Sequence, residues 1–250
     1  MKSFSYLVGR DGILKNSKIM DFIFKPSWKT TSIEGWLSRF SKSKKNEDGR
    51  SAKTLAEFCK TNDAEKIIVD ILNPIVGDVN SIEAYPEYHT KIDKFGKGRM
   101  HDLAIKCKEN EVFVGIEAKV NEDFGPSLKS KYNGAKKNSN IKKRIDNLLS
   151  EYYNGMISID KNPNILYQLI YSAVSVLNEP EIKIPIFIIL VFHTNKSEEK
   201  KVKKNKCKLC DFLQAIKAIK TINNRSAEYY EATLNGKKLN IVYKEIDMVK

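Results

Sequence analysis

The chain has 250 residues, room for one large α/β domain or one domain with appended elements. Apolar residues make up 41%, which excludes a disordered chain, and 44 Lys and Arg against 31 Asp and Glu leave a net charge of +13. That excess points to an anionic partner, nucleic acid before others, although most of it is Lys and a Lys-rich composition alone also produces it. The N-terminal "MKSFSYLVGRDGIL" is broken by Gly9, Arg10 and Asp11, so it reads as neither signal peptide nor anchor, and no stretch reaches the length of a membrane span. Cys59, Cys107, Cys207 and Cys210 read as reduced thiols, which places the expected protein in the cytoplasm.

Residues 1–50 are expected to form an N-terminal extension packed on the core, ending in the polar loop "SKSKKNEDGR" (41–50). "SAKTLAEFCKT" then opens a helix, with Leu55, Phe58 and Cys59 facing inward and Glu57 nearer the other side. A further apolar segment, "EKIIVDIL", follows. From residue 82 the period shortens to that of strands. "IEAYPEYHTKI" is strand-like with Pro86 suggesting an edge or a bulge, "DKFGKG" (93–98) reads as a hairpin loop, and "MHDLAIKC" (100–107) and "EVFVGIEAKV" (111–120) are two strands joined by "KEN". A basic, partly helical segment spans 127–153. "NILYQLIYSAVSVLNE" (164–179) predicts a helix, and "IPIFIILVFHT" (184–194) a central strand buried on both faces. The remainder, 196–250, reads as a basic loop, a helix near 209–222 and a short strand, "LNIVYKEI".

Alternation in the strand 112–120 places Val112, Val114, Ile116, Ala118 and Val120 on one face, and Phe113, Gly115, Glu117 and Lys119 on the other. In the strand before it, Leu103, Ile105 and Cys107 share the apolar face, which sends Asp102 to the side of Glu117 and Lys119. Ala104 and Gly115 would leave open space beside them. Two carboxylates converging on a hollow repel unless a cation lies between them, and hard oxygen donors suit Mg²⁺ or Mn²⁺. A lysine beside them can orient an attacking water. The plainer alternative is a solvated sheet face with an Asp that opens a strand after a turn.

These residues resemble the PD-(D/E)xK nuclease superfamily, over roughly residues 50–195. "HD" at 101–102 and "EAK" at 117–119 match its motif, with His101 where the family often has Pro. "SAKTLAEF" and "EAKVNEDFG" also resemble a bacterial branch of it with no assigned role. The resemblance implies an α/β, restriction-endonuclease-like αβββαβ core (51–195), a mixed central sheet flanked by helices, with N- and C-terminal additions. It implies a nuclease that hydrolyses phosphodiester bonds, with DNA as the expected substrate and a role in defence or DNA processing. Asp102 and Glu117 would bind the metal and Lys119 would assist the attacking water. The acidic residue that the superfamily often adds from its first helix would be Glu57, with Glu87 as rival; Glu122 lies just beyond the strand. Some branches place a Gln on the next helix, and Gln168 stands there, with Tyr171 three residues on rather than four. Nucleases of this type commonly pair to cut both strands, which implies a homodimer.

The tract 129–144 carries seven basic residues, Lys129, Lys131, Lys136, Lys137, Lys142, Lys143 and Arg144, and no acid, so it is expected to grip a phosphate backbone. "CKLC" (207–210) is half of a zinc site, and His89, His101 and His193 offer no second half. His101 is expected to be structural, on the face opposite Asp102. A non-catalytic nucleic-acid binder of the same fold and a protein-interaction module are the competing readings.

Overall fold

The computed structural model describes residues 19–28, 30–41, 51–96, 98–195, 198–223 and 226–248. A short strand β1 (Met20–Phe22) is followed by helices α1 (Ile33–Ser41), α2 (Ser51–Cys59) and α3 (Asp63–Val76). Leu55, Phe58 and Cys59 of α2 are buried, as their helical spacing dictates. The free backbone N–H of Ser51 at the start of α2 points at the Glu122 carboxylate, 3.3 Å from Oε2. That carboxylate therefore serves as a helix cap from 71 residues away. The expected polar loop 41–50 falls, from residue 42 on, outside the described residues.

The predicted first strand divides. Ile82–Pro86 forms β2, Glu87 turns the chain with φ 49°, and His89–Thr90 leaves as β3 to pair with β4 (Arg99–Met100) in a separate two-stranded ribbon. Pro86 ends β2, which is no edge strand, because β1 pairs beside it in parallel. The next predicted strand divides too: β5 is Leu103–Cys107, and His101 and Asp102 form a bend between it and β4. β6 (Val112–Lys119) follows a tight turn that ends on Glu111 at φ 52°.

The basic segment folds into α4 (Leu128–Asn133), α5 (Ile141–Leu148) and a wider π-helical turn, Leu149–Tyr153. Then come α6 (Tyr167–Leu177) and β7 (Ile184–His193), the latter buried on both faces as its continuous apolar run requires. Past residue 196 the sequence-based expectation fails in two places. The Lys-rich run expected to be a loop opens α7 (Glu199–Ala215), and the end of the expected helix is instead the strand β8 (Ile219–Asn223); β9 (Glu228–Leu234) follows, and the expected strand "LNIVYKEI" lies within β10 (Lys237–Asp247). Asn235 and Gly236, at φ 49° and 71°, join β9 to β10 in a two-residue turn whose positive φ values suit Asn-Gly.

The result is a mixed α/β fold around one large sheet with strand order β1-β2-β5-β6-β7-β10-β9-β8 among the described residues. β2, β5 and β6 are an antiparallel meander, while β6, β7 and β10 run parallel. Helix α2, this meander, α6 and β7 keep the predicted order of helix, three strands, helix, strand, with α3 inserted before β2 and α4 and α5 before α6, and the C-terminal strands extend the same sheet. Apolar clusters cover both faces. Val112, Val114, Ile116 and Ala118 pack with Leu55, Phe58 and Ile68 on one, and Phe113 with Leu169, Ala173 and Val176 on the other. No helix among the described residues is long and apolar enough to cross a membrane.

The second face is filled where open space was expected. Because residues 101–102 lie in a bend, strand alternation does not extend through them, and the His101 ring packs on the α6 side, edge-on to Phe113 at 5.7 Å. Burial, with Arg99 and His89 adding to it, pushes the His101 pKa down to about 3, so the imidazole is neutral. The Ser175 hydroxyl donates to the Ser172 carbonyl, which leaves its Oγ to accept from His101 Nε2 at 3.1 Å. A Cβ on Gly115 would stand 2.5 Å from the His101 ring and 2.6 Å from Val176. Gly115→Ala is therefore expected to cost about 1–3 kcal/mol, readable as a lower denaturant midpoint at unchanged slope; an unchanged midpoint would mean that the ring moves aside freely.

Candidate functional site at the end of the central strands

β5 pairs with β6 only as far as Leu103, opposite Ile116, so Glu117, Ala118 and Lys119 run on past the end of β5. Asp102, in the bend before β5, takes up the slack: its Oδ2 accepts the Ala118 backbone N–H at 2.8 Å. Burial and the neighbouring Glu117 carboxylate push the Asp102 pKa up to about 7, opposed by Lys119 and by that N–H. The carboxyl thus titrates near neutrality although the residue keeps some open surface.

Glu117 and Lys119 are 3% and 5% exposed, far from the solvated sheet face of the plainer alternative. Lys119 Nζ donates to Glu117 Oε1 at 2.7 Å and stands 5.3 Å from the centre of the Phe124 ring. Gln168, on the first turn of α6, donates through Nε2 to the same Oε1. The structure thus brings Asp102, Glu117, Lys119 and Gln168 together, four residues from three separate segments.

A fifth member escaped the sequence reading. Arg99, on β4, donates through Nη2 to Glu117 Oε2 and through Nε to Ser172 Oγ at 2.9 Å. Glu117 therefore has an ammonium, a guanidinium and an amide around it, enough to keep a carboxylate charged out of water. The available signal was an arginine at the mouth of a hairpin, three residues before Asp102.

The other predicted residues lie apart. Glu57 is exposed on α2, with Lys53 3.7 Å away. Glu87 sits nearer: its backbone N–H donates to the Asp102 carbonyl at 3.0 Å, and its side chain faces Arg39 at 3.9 Å. Glu122 caps α2 as described. Of the basic tract, Lys129, Lys136, Lys137, Lys142 and Lys143 are exposed on and between α4 and α5, while Lys131 lies 5.8 Å from the Tyr167 ring. Arg144 departs from its expected role as a free phosphate contact. It makes a two-pronged pair with Asp93, at 2.6 and 3.0 Å, and donates to the Phe95 carbonyl, so it pins the β3–β4 hairpin loop. Cys207 and Cys210 lie exposed on α7, and His193 pairs with Glu245 at 2.9 Å. Among the described residues no three of His, Cys, Asp and Glu gather as a ready metal-ligand group; Asp102 and Glu117 stand as a pair.

A family model described as a domain of unknown function (DUF6946) matches residues 29–248. No curated protein and no solved structure matches the chain.

Proposed function

The chain belongs to the DUF6946 family, and from its strand-end site we propose that it is a metal-dependent nuclease with a restriction-endonuclease-like core. It would hydrolyse phosphodiester bonds in DNA with Mg²⁺ or Mn²⁺. The observation that carries this reading is the convergence of Asp102, Glu117, Lys119 and Gln168 where β6 outruns β5. The donor chemistry fits a hard divalent cation: burial first, and the facing Glu117 carboxylate second, hold the Asp102 proton to about pH 7, and a cation between the two carboxylates offsets both. Asp102 and Glu117 would hold the ion, which when bound polarises a phosphoryl oxygen and acidifies a water. Lys119 is placed to orient that water, and Gln168 fixes the plane of the Glu117 carboxylate. The order helix, three strands, helix, strand supports the same reading, as does the excess of exposed lysine on α4 and α5.

A non-catalytic nucleic-acid binder is the second reading. It is favoured by one observation: Glu117 already has its charge balanced by Arg99 and Lys119.

The test is incubation of wild type, Lys119→Ala and Asp102→Ala with supercoiled plasmid, single-stranded DNA and RNA, in Mg²⁺, Mn²⁺ or EDTA. Wild type is expected to cut DNA in Mg²⁺ and not in EDTA, and each variant to lose roughly a hundredfold or more in rate. No cutting, with equal DNA binding by all three proteins, selects the binder. Cutting that survives both substitutions places the chemistry elsewhere and ends the proposal.

A further inference from the structure

Tyr167 and Tyr171 stand one helical turn apart at the start of α6, so they leave the helix on one side. Their rings stack with centroids 5.3 Å apart and planes 15° from parallel. Each residue is only 8% exposed, and neither hydroxyl finds an acceptor for its proton among the described residues, the Arg144 guanidinium near Tyr167 being a donor only. Native interiors rarely leave such groups unmatched, and two on one spot mark a place where an acceptor from outside belongs.

The surroundings say which acceptor. The Arg144 guanidinium lies 5.3 Å from the Tyr171 ring, and its charge acts on both hydroxyls. Arg99, anchored on Ser172, acts on Tyr171 from the side of Glu117. Asp93 is the opposing acid, and Arg144 already neutralises it. Two hydroxyl donors thus gather beside two guanidinia, Arg144 held by Asp93 and Arg99 held by Glu117, next to Gln168, which touches the same Glu117. Tetrahedral oxyanions suit such a donor set, and guanidinium pairs them well.

We propose that the Tyr167 and Tyr171 hydroxyls, backed by Arg99 and Arg144 in their carboxylate pairs, form a subsite for a phosphodiester group of a nucleic-acid strand, next to the bond that the Asp102–Glu117 centre attacks. The identity of the strand rests on the nuclease reading; the preference for a phosphate rests on the donors themselves.

Tyr167→Phe/Tyr171→Phe keeps the ring stack and removes only the hydroxyls, so the fold is retained. The probes are a fluorescein-labelled single-stranded DNA oligonucleotide, the same oligonucleotide with an uncharged methylphosphonate backbone, and inorganic phosphate as competitor, all in EDTA so that nothing is cut. The double variant is expected to bind the charged strand roughly tenfold or more weakly. It should bind the uncharged strand as wild type does, with its melting temperature equal to or above that of wild type. Equal affinity of the two proteins for the charged strand overturns the proposal. So does an equal loss on both backbones, or a wild type with no measurable affinity for the charged strand. Protection by inorganic phosphate at affinity equal to that for the strand makes it a free-phosphate site and overturns the assignment to a strand. The outcomes separate from those of the nuclease test. A wild type that cuts plasmid while the double variant binds and cuts equally well loses the subsite and keeps the nuclease; a selective loss of binding with no cutting by wild type does the reverse.

Discussion

Glu117→Ala is expected to lower the free energy of unfolding by about 3–5 kcal/mol, worth about 10 °C or more in Tm for a chain of this size. The deleted carboxylate is not itself the main cost. Its removal leaves the Lys119 ammonium and the Arg99 guanidinium with side chains only 6% and 17% exposed, and only the Asp102 carboxyl, itself buried, to balance the two of them. Burial of an unpaired cation is what the loss reports. Replacing all three charges at once, Glu117→Leu with Arg99→Met and Lys119→Met, should therefore recover most of the stability, because well-packed apolar groups do as well as a buried ion pair. Denaturant unfolding of the single and triple variants measures both effects. A single variant that loses under about 1 kcal/mol would mean that water reaches the two cations and that the cluster is effectively a surface one.

Asp102→Asn is expected to act in the opposite direction above neutral pH. The folded chain holds the Asp102 proton to about pH 7, against an ordinary value of 3.8, because burial and Glu117 both oppose its charge. Between those two pH values the folded state binds more protons than the unfolded one, so this group's contribution falls as pH rises through the window and is flat above it. The variant has no such loss, and its Asn oxygen can still accept the Ala118 N–H. Its Tm should match that of wild type near pH 4, gain on it through pH 5 and 6, and stand several degrees higher by pH 8. On the nuclease reading, Mg²⁺ at pH 8 should raise the Tm of wild type and leave the variant unmoved. A variant no more stable than wild type at pH 8 would show that the Asp102 carboxylate is already compensated.

What could be read in advance follows from how local each signal is. The period-two run at 112–120 determines which residues of β6 face α2 and which face α6, since alternation needs no knowledge of partners. Gln168 was legible as a polar residue on an apolar helix, which must find a donor or acceptor somewhere. Arg99 was not, because its meaning lies in a carboxylate 18 residues away on another strand. Nor was the fate of Gly115: the absent side chain reads as open space until the bend at His101 is known to turn an imidazole into it. The partner of β10 in the C-terminal hairpin, β9, is a different kind of miss. Asn235-Gly236 between alternating segments is a local hairpin signal, legible without any partner. In α7, Lys200, Lys203 and Lys204 are exposed on a helix whose Val202, Leu209 and Phe212 are buried.

The position of β7 has a consequence for how the chain is made. Its ten residues are held on one side by β6, which is synthesised before it, and on the other by β10, which comes at the far end of the chain. Until Lys237–Asp247 has left the ribosome, the most apolar strand of the protein presents an unpaired edge with nothing to cover it. A message cut short ahead of β10 would therefore yield a chain with Asp102, Glu117 and Lys119 all present and a sticky strand beside them. Such products should be found in aggregates and in the hands of chaperones, so on the nuclease reading a loss of cutting on truncation there reports the edge and not the strand-end residues.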